Sequence, residues 1–482
     1  MIDSKDLNNY SLLADFYEFT MGNGYYKSGQ VDKIAYFDLF FRTIPDSGGF
    51  AIAAGLEQAI EYIRNIEFSD EDIDFLRSKG VFDEGFLSYL KNFKFECDIW
   101  AIPEGTPIFP GEPIMVVRGP IIQAQLMETM LLVTMNYQSL IATKANRIVR
   151  AAKGRPVFEF GSRRAQGYTG AILGARAAYI GGCLGTANTL SDRLYDIPAV
   201  GTMAHSWVQS FDSELDAFRM YARTYPDSCS LLIDTYDILH EGLPNAIKVF
   251  KEEIVTRGFR PKSVRLDSGD IAYLSKKIRR ELDKNGFEDC GIMASNSLDE
   301  YVIDSLLKQG AQLDSFGVGE RLITSKSDPV FGGVYKLTAI EDESGEIVPK
   351  IKISENTEKI TTPGFKQIHR FFDKDTNAPI ADVISLHDED FNDLETMEIF
   401  HPVHTWKRKT ISNFYTRKLL VPIFDKGELV YEKPTIKAIR DHAQSEIENL
   451  WDELKRFDRP HEYFVDLSQE LWDLKNELLN KH

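Results

Sequence analysis

The stretch GTMAHSW, residues 201–207, sets one titratable ring among small neighbours. His205 follows Gly201, Thr202 and Ala204 and precedes Ser206 and an amphipathic helical run. An imidazole placed this way can act as general base, metal ligand or nucleophile. Neither an HxxxH nor an HxH pattern nor a nearby cysteine accompanies it, which argues against a His-rich zinc site. In GSRRAQG, Arg163 and Arg164 open a predicted helix. Guanidinium forks and helix N-terminal amides both favour phosphate or carboxylate, and cations gain nothing from the dipole at that end. In RLDSGD, Arg265, Asp267, Ser268 and Gly269 suit ribose hydroxyls or a metal ion carrying phosphates; an Asx-turn into a helix starting near Ile271 is the competing reading. Thr186 and Asn188 of TANTL are neutral hydrogen-bonders that, on their own, read as a helix cap. Gly317 and Gly319 of SFGVGERL allow backbone amides to approach a phosphate closely.

These residues share one kind of position, the end of a strand-like run. PVFEF, YIGGCLG, IPAVGTM, CSLLIDTY, SVRLDSG, GIMASN and DSFGVG alternate with helical spacing over 206–223, 240–256, 271–285 and 299–309, and GGVYKLTAI offers an eighth run. Alternation of this kind implies parallel strands joined by crossovers. The expected fold is α/β, an irregular (β/α)8-type barrel, with a doubly wound open sheet as the rival. Residues 1–150 read as an N-terminal α+β domain, 151–340 as the barrel and 341–482 as a C-terminal extension packing on the N-terminal domain. There, EDESGEIVPKI reads as a hairpin with a Ser-Gly turn. Leu467, Leu471, Leu474 and Leu478 give the last helix an apolar stripe suited to core packing.

Composition narrows the function classes. The 482 residues are 43% hydrophobic and 27% charged, as in a folded globular protein. With 56 basic and 74 acidic side chains the net charge is −18, against a duplex nucleic-acid binder but compatible with a locally positive pocket. Cys97, Cys183, Cys229 and Cys290 are widely separated and read as buried reduced thiols. The polar start MIDSKDLNNY does not read as a signal peptide, and no apolar run approaches the ~20 residues of a membrane span. The expected location is cytoplasmic.

Taken in order, LLADFYEFTMGNGYY, FDLFFRTIP, GLEQAIEY, FEFGSRRAQG, GTANTL, GTMAHS, VRLDSGD, SFGVGERL and GGVYKL closely resemble the nicotinate phosphoribosyltransferases, relatives of the nicotinamide and quinolinate enzymes. The resemblance implies transfer of the phosphoribosyl group of 5-phosphoribosyl 1-pyrophosphate to nicotinate, with Mg²⁺ on the pyrophosphate. It also implies ATP hydrolysis through a phosphorylated histidine, here His205. By motif, Arg163 would meet the nicotinate carboxylate, and the neutral Asn188 would favour nicotinate over nicotinamide, whose enzymes carry an aspartate in this region. Arg265 and Asp267 would hold the phosphoribosyl group and its metal, and Gly317 and Gly319 the 5-phosphate. Thr186, Ser206, Ser268 and Gly269 complete the implied substrate-binding set. Tyr17 would stack on nicotinate from the second subunit of a homodimer. Glu320 and Arg321 depart from the small or neutral residues of many relatives, and Glu320 would repel a phosphate unless paired or turned away. Two alternatives stand beside this reading: a related transferase using nicotinamide or another base, and a non-catalytic ligand-binding barrel.

Overall fold

The computed structural model describes residues 9–356 and 359–481; the polar start read against a signal peptide lies, for residues 1–8, outside them. In chain order the strands of its two main sheets are β1 (Ile34–Phe41), β2 (Asp98–Ala101), β3 (Met115–Pro120), β4 (Val157–Glu159), β5 (Ser230–Leu232), β6 (Ser263–Leu266), β7 (Gly291–Ser295), β8 (Ser315–Val318), β9 (Gly333–Glu341), β10 (Ile347–Pro349), β11 (Val421–Asp425) and β12 (Glu428–Leu429). The fold is mixed α/β. The chain divides into one unit of residues 141–329 and another that combines 1–140 with 330–482, so the segment after 341 shares a unit with the N-terminal segment.

In unit 141–329 the short strands are almost wholly buried, as expected where helices cover both faces of a parallel sheet. They pair in parallel in the order β4-β8-β7-β6-β5. Two single parallel bridges, Glu159 to Thr186 and Thr186 to Ala199, extend the order beyond β4. First and last strands are thus neighbours, as in a ring. Among the described residues, however, no ladder joins the Ala199 segment to β5, so of the expected irregular (β/α)8-type barrel the structure shows a mixed α/β unit with no closed barrel. Pro198 has no N–H to donate. Its carbonyl and the Val200 N–H both bond Thr186.

Three other expectations change. IPAVGTM is not a strand: Ala199 alone makes a bridge, to Thr186. Tyr179 and Ile180 of YIGGCLG form the end of helix Tyr168–Ile180, and only Thr186 beyond this run makes a bridge. GGVYKLTAI is not an eighth barrel strand: as β9 it pairs antiparallel with β1, from Ala35 opposite Ile340 to Phe41 opposite Gly333. By contrast, helix Ile271–Lys284 starts where the Asx-turn reading put it. Asp270 caps it by accepting the Tyr273 N–H, and Ala272, Leu274, Ile278 and Leu282 line its buried face.

The other unit is built on the sheet β10-β9-β1-β3-β2-β11-β12. β1, IAYFDLFF, is nearly all buried, and its one carboxylate, Asp38, lies 2.9 Å from the buried Lys366 ammonium. β9 and β10 form the predicted hairpin, with Asp342 accepting the Ser344 and Glu346 N–H groups at the turn. A four-stranded sheet of Phe414–Lys418, Lys366–Asp373, Pro379–Leu386 and Val465–Leu467 follows. Leu467 is in its last strand, while Leu471 is fully buried on the final helix. All four cysteines are buried and unbridged. Among the described residues no helix is long and apolar enough to cross a membrane.

Candidate active site

His205 is the first residue of helix His205–Gln209, just past the Ala199 bridge. A Cβ on Gly201 would meet nothing within 4 Å, so the small residues before the ring do leave space. Its Nδ1 is 3.1 Å from the Thr235 hydroxyl, and its Nε2 is 3.9 Å from Asp234 Oδ1. Both partners follow β5, on the far side of the open seam. The ring therefore bridges, by side chain, the place where the backbone ladder is missing.

Asp234 is the hub of this corner. Its Oδ2 accepts the Asp267 N–H at 2.9 Å and the Ser268 hydroxyl at 2.7 Å. Its Oδ1 is buried, has no hydrogen-bond partner and faces His205. Asp234 and Thr235, near the end of the strand-like run CSLLIDTY, are not among the residues singled out from the sequence. The overlooked signal was the carboxylate that ends that run.

Arg265 ties further strand ends together. Its Nε donates to Ser295 Oγ at 2.9 Å, Nη1 to Thr202 Oγ1 at 3.4 Å and Nη2 to Asp267 Oδ1 at 3.2 Å. The guanidinium carbon sits 5.7 Å from the centroid of the Phe160 ring. The Ser295 hydroxyl also donates to Asp267 Oδ1. Three predicted residues, Arg265, Asp267 and Ser268, thus converge with His205 through Asp234. Ser206 lies beside His205 on the same helix, and Gly269 has φ +80°, a left-handed turn that glycine adopts without strain.

Arg163 and Arg164 stand on a short 3-10 turn, Ser162–Arg164, rather than at the start of an α-helix. Both are exposed. Behind them, Glu159 is fully buried and accepts the Gly161 N–H on one oxygen and the Thr186 hydroxyl, at 2.6 Å, on the other. Thr186 Oγ1 accepts the Asn188 N–H at 3.0 Å. Asn188 caps helix Thr189–Tyr195 through the Leu190 and Ser191 N–H groups, so the capping reading holds for its oxygen. Burial raises the Glu159 carboxyl above its ordinary range.

The two glycines differ. Gly317 lies inside β8, where a Cβ would come within 2.5 Å of the Phe160 ring, so packing requires it. Gly319 precedes the short helix Glu320–Ile323. Glu320 pairs with Lys326 at 2.6 Å, which holds its carboxyl below the usual range and resolves the repulsion expected of it; Arg321 pairs with Asp299. In the other unit, Tyr17 is 43% exposed on helix Phe16–Lys27, its hydroxyl near the Glu128 carboxylate. Burial lifts that hydroxyl beyond the usual tyrosine range.

No group of three His, Cys, Asp or Glu side chains suited to a metal ion occurs among the described residues. Mg²⁺ needs no such cage, because it keeps waters and substrate phosphates and takes only one or two carboxylates. Asp267 and the orphaned Asp234 Oδ1 fit that demand.

Together, the mixed α/β fold and the corner where His205, Asp234, Asp267 and Arg265 meet are those of an enzyme. Family models agree over nearly the whole chain. The nicotinate phosphoribosyltransferase N-terminal domain matches residues 12–136, the family model 156–383 and the C-terminal domain 365–475. The chain belongs to the nicotinate phosphoribosyltransferase family. It is similar to nicotinate phosphoribosyltransferase of Bacillus subtilis, 45% identical over 98% of this chain and 96% of that one. The human enzyme is 31% identical over 97% and 96% of the two chains. A crystal structure of human nicotinic acid phosphoribosyltransferase superposes with a TM-score of 0.86 at 30% identity, covering 96% of this chain and 99% of that one. A nicotinate-nucleotide pyrophosphorylase from Pyrococcus furiosus shares the fold, with a TM-score of 0.69 at 22% identity.

Proposed function

We propose that this chain joins nicotinate to the phosphoribosyl group of 5-phosphoribosyl 1-pyrophosphate, releasing pyrophosphate and nicotinate mononucleotide, the entry to NAD from nicotinate, and that it couples ATP hydrolysis to the transfer through His205. The observation that carries the coupling is the ring held between Thr235 and the orphaned carboxylate oxygen of Asp234. When a ring nitrogen attacks the γ-phosphorus, the bond to ADP breaks and the ring becomes cationic. A buried carboxylate alongside stabilises that charge.

In the transfer step the bond from ribose C1 to pyrophosphate breaks, leaving positive charge on the sugar and negative charge on the leaving group. Arg265 is anchored for the anionic side, and the carboxylates of Asp234 and Asp267 tolerate the developing cation. Asp267 and Asp234 would hold Mg²⁺ together with the pyrophosphate, and the ion would there supply neutralisation of leaving-group charge. Arg163 pairs with the nicotinate carboxylate, and Asn188, Ser206, Ser268, Gly269 and Gly319 line the remaining substrate surface, with the buried Thr186 and Gly317 supporting it from behind. The framework is an irregular barrel left open between Ala199 and β5. Two copies form a cytoplasmic homodimer in which Tyr17 of the partner subunit stacks on the pyridine ring.

Incubating the protein with nicotinate, phosphoribosyl pyrophosphate and Mg²⁺, with and without ATP, tests the reading. His205→Ala is expected to abolish ATP hydrolysis and the acid-labile phosphate on the protein while slow ATP-independent transfer continues. Phosphate that persists in the mutant would place the modification on another residue.

A further inference from the structure

We propose that Glu159 is a positioning residue for nicotinate: its buried carboxylate holds the Ser162–Arg164 turn and the Thr186–Asn188 turn in one fixed relation. The inference rests on the assignment of Arg163 and Asn188 to the nicotinate end of the site. Glu159 ends β4, the first strand of its unit, and is 0% exposed. Its backbone already knits these loops, the N–H donating to Gly185 and the carbonyl accepting from Ala187, each at 2.9 Å. The side chain adds a second link. One oxygen takes the N–H of Gly161, the residue before the arginine turn, and the other the hydroxyl of Thr186, two residues before Asn188.

Two features argue for more than packing. The carboxylate has no cationic partner in any ion pair of the described residues, and a lone buried acid is costly to retain. A structural tie could be made by an apolar contact at less cost. Both groups it serves are also donors, one N–H and one O–H, so an acceptor-only carboxylate matches them, whereas a glutamine would turn an N–H toward one of them. Thr186 relays the link, since the oxygen that gives its proton to Glu159 accepts the N–H of Asn188. Crowding adds to the constraint: a Cβ on Gly161 would press at 2.6 Å on Ile323, so the arginine turn has little room to shift toward that side.

Steady-state kinetics of Glu159→Gln, Glu159→Ala, Thr186→Val and the double variant Glu159→Ala/Thr186→Val, each in both substrates, test this. Glu159→Ala is expected to raise KM for nicotinate at least about tenfold, with KM for phosphoribosyl pyrophosphate within about threefold of wild type. Glu159→Gln, able to keep one of the two bonds and to turn the threonine hydroxyl, is expected to fall between. The double variant should be no worse than Glu159→Ala alone, because both changes break one connection. A folded Glu159→Ala with nicotinate KM within about twofold, a parallel rise in both KM values, or additive losses in the double variant would overturn the proposal. If Glu159→Ala does not fold, Thr186→Val decides, and an unchanged nicotinate KM there is equally fatal. Arg163→Ala separates the two layers. An unchanged nicotinate KM in that variant refutes the underlying assignment, and a raised one with silent Glu159 and Thr186 variants refutes only the positioning role.

Discussion

Replacing Glu18 by glutamine should make the protein more stable in mild alkali and leave it unchanged in mild acid. Glu18 lies one residue from Tyr17 and is 0% exposed. Its Oε1 accepts the Asp15 N–H at 3.1 Å and the Thr129 hydroxyl, while Oε2 is buried without a partner. Burial, with smaller repulsion from Glu128 and Asp15, lifts its pKa from 4.5 to about 7. The folded chain therefore keeps this proton to higher pH than the unfolded chain does. Between 4.5 and about 7 stability falls as pH rises; the loss is absent below that window and complete above it. At about 1.4 kcal/mol per pH unit the full cost is about 3 kcal/mol. Glutamine has the same shape and no proton to lose. Urea unfolding followed by tryptophan fluorescence reads the right part of the chain, because four of the five tryptophans, 100, 406, 451 and 472, lie in the same unit as Glu18. The variant should match wild type near pH 4.5 and exceed it by about 2–3 kcal/mol near pH 8. A difference that is equal at both pH values, or a less stable variant at pH 8, would refute the reasoning.

Other substitutions probe the site directly. Asn188→Asp retains the helix cap, since aspartate caps as well as asparagine; melting should hold while nicotinate KM rises about tenfold or more by charge repulsion, and an unchanged KM would clear Asn188 of any part in base selection. Asp234→Asn should weaken the bonds to the Asp267 N–H and the Ser268 hydroxyl by about 1 kcal/mol each as charge assistance is lost. It should also cut ATP-stimulated turnover about tenfold or more, and undiminished phosphorylation of His205 would rule the carboxylate out as the ring's partner. Gly317→Ala drives a methyl into the Phe160 ring that underlies Arg265, so calorimetry should show about 1–3 kcal/mol of destabilisation. An unshifted transition would show that Phe160 has room to move.

Local signals were legible where the chain itself carries them. Asp270 before an amphipathic run marks the start of its helix, and a strand end marks Arg265 and Asp267, whereas the strand-like run before His205 makes only the single bridge at Ala199. What escaped depends on pairing across distance. Thr235 lies 30 residues from His205, and no spacing rule connects them. YIGGCLG looked like a strand because helix Tyr168–Ile180 is apolar nearly all round toward its end, which hides its period. The glycines of SFGVGERL look alike in sequence, yet one is held by an aromatic ring and the other begins a helix. Strand type was readable in β9, but its partner was not, since antiparallel pairing with β1 is decided by the whole sheet.

That pairing has a consequence for how the chain is made. Tyr36 of β1 and Glu341 of β9 are hydrogen-bonded across 305 residues. At about 5–20 residues per second, a ribosome delivers β9 on the order of 15–60 seconds after β1. During that interval β3 can cover one side of β1, while the other edge of IAYFDLFF, apolar and unpaired, waits. The inserted unit, complete by residue 329, has time to fold first. The newborn chain thus carries a sticky strand edge through most of its synthesis, and its yield in the cell should depend on whatever shields that edge until β9 emerges.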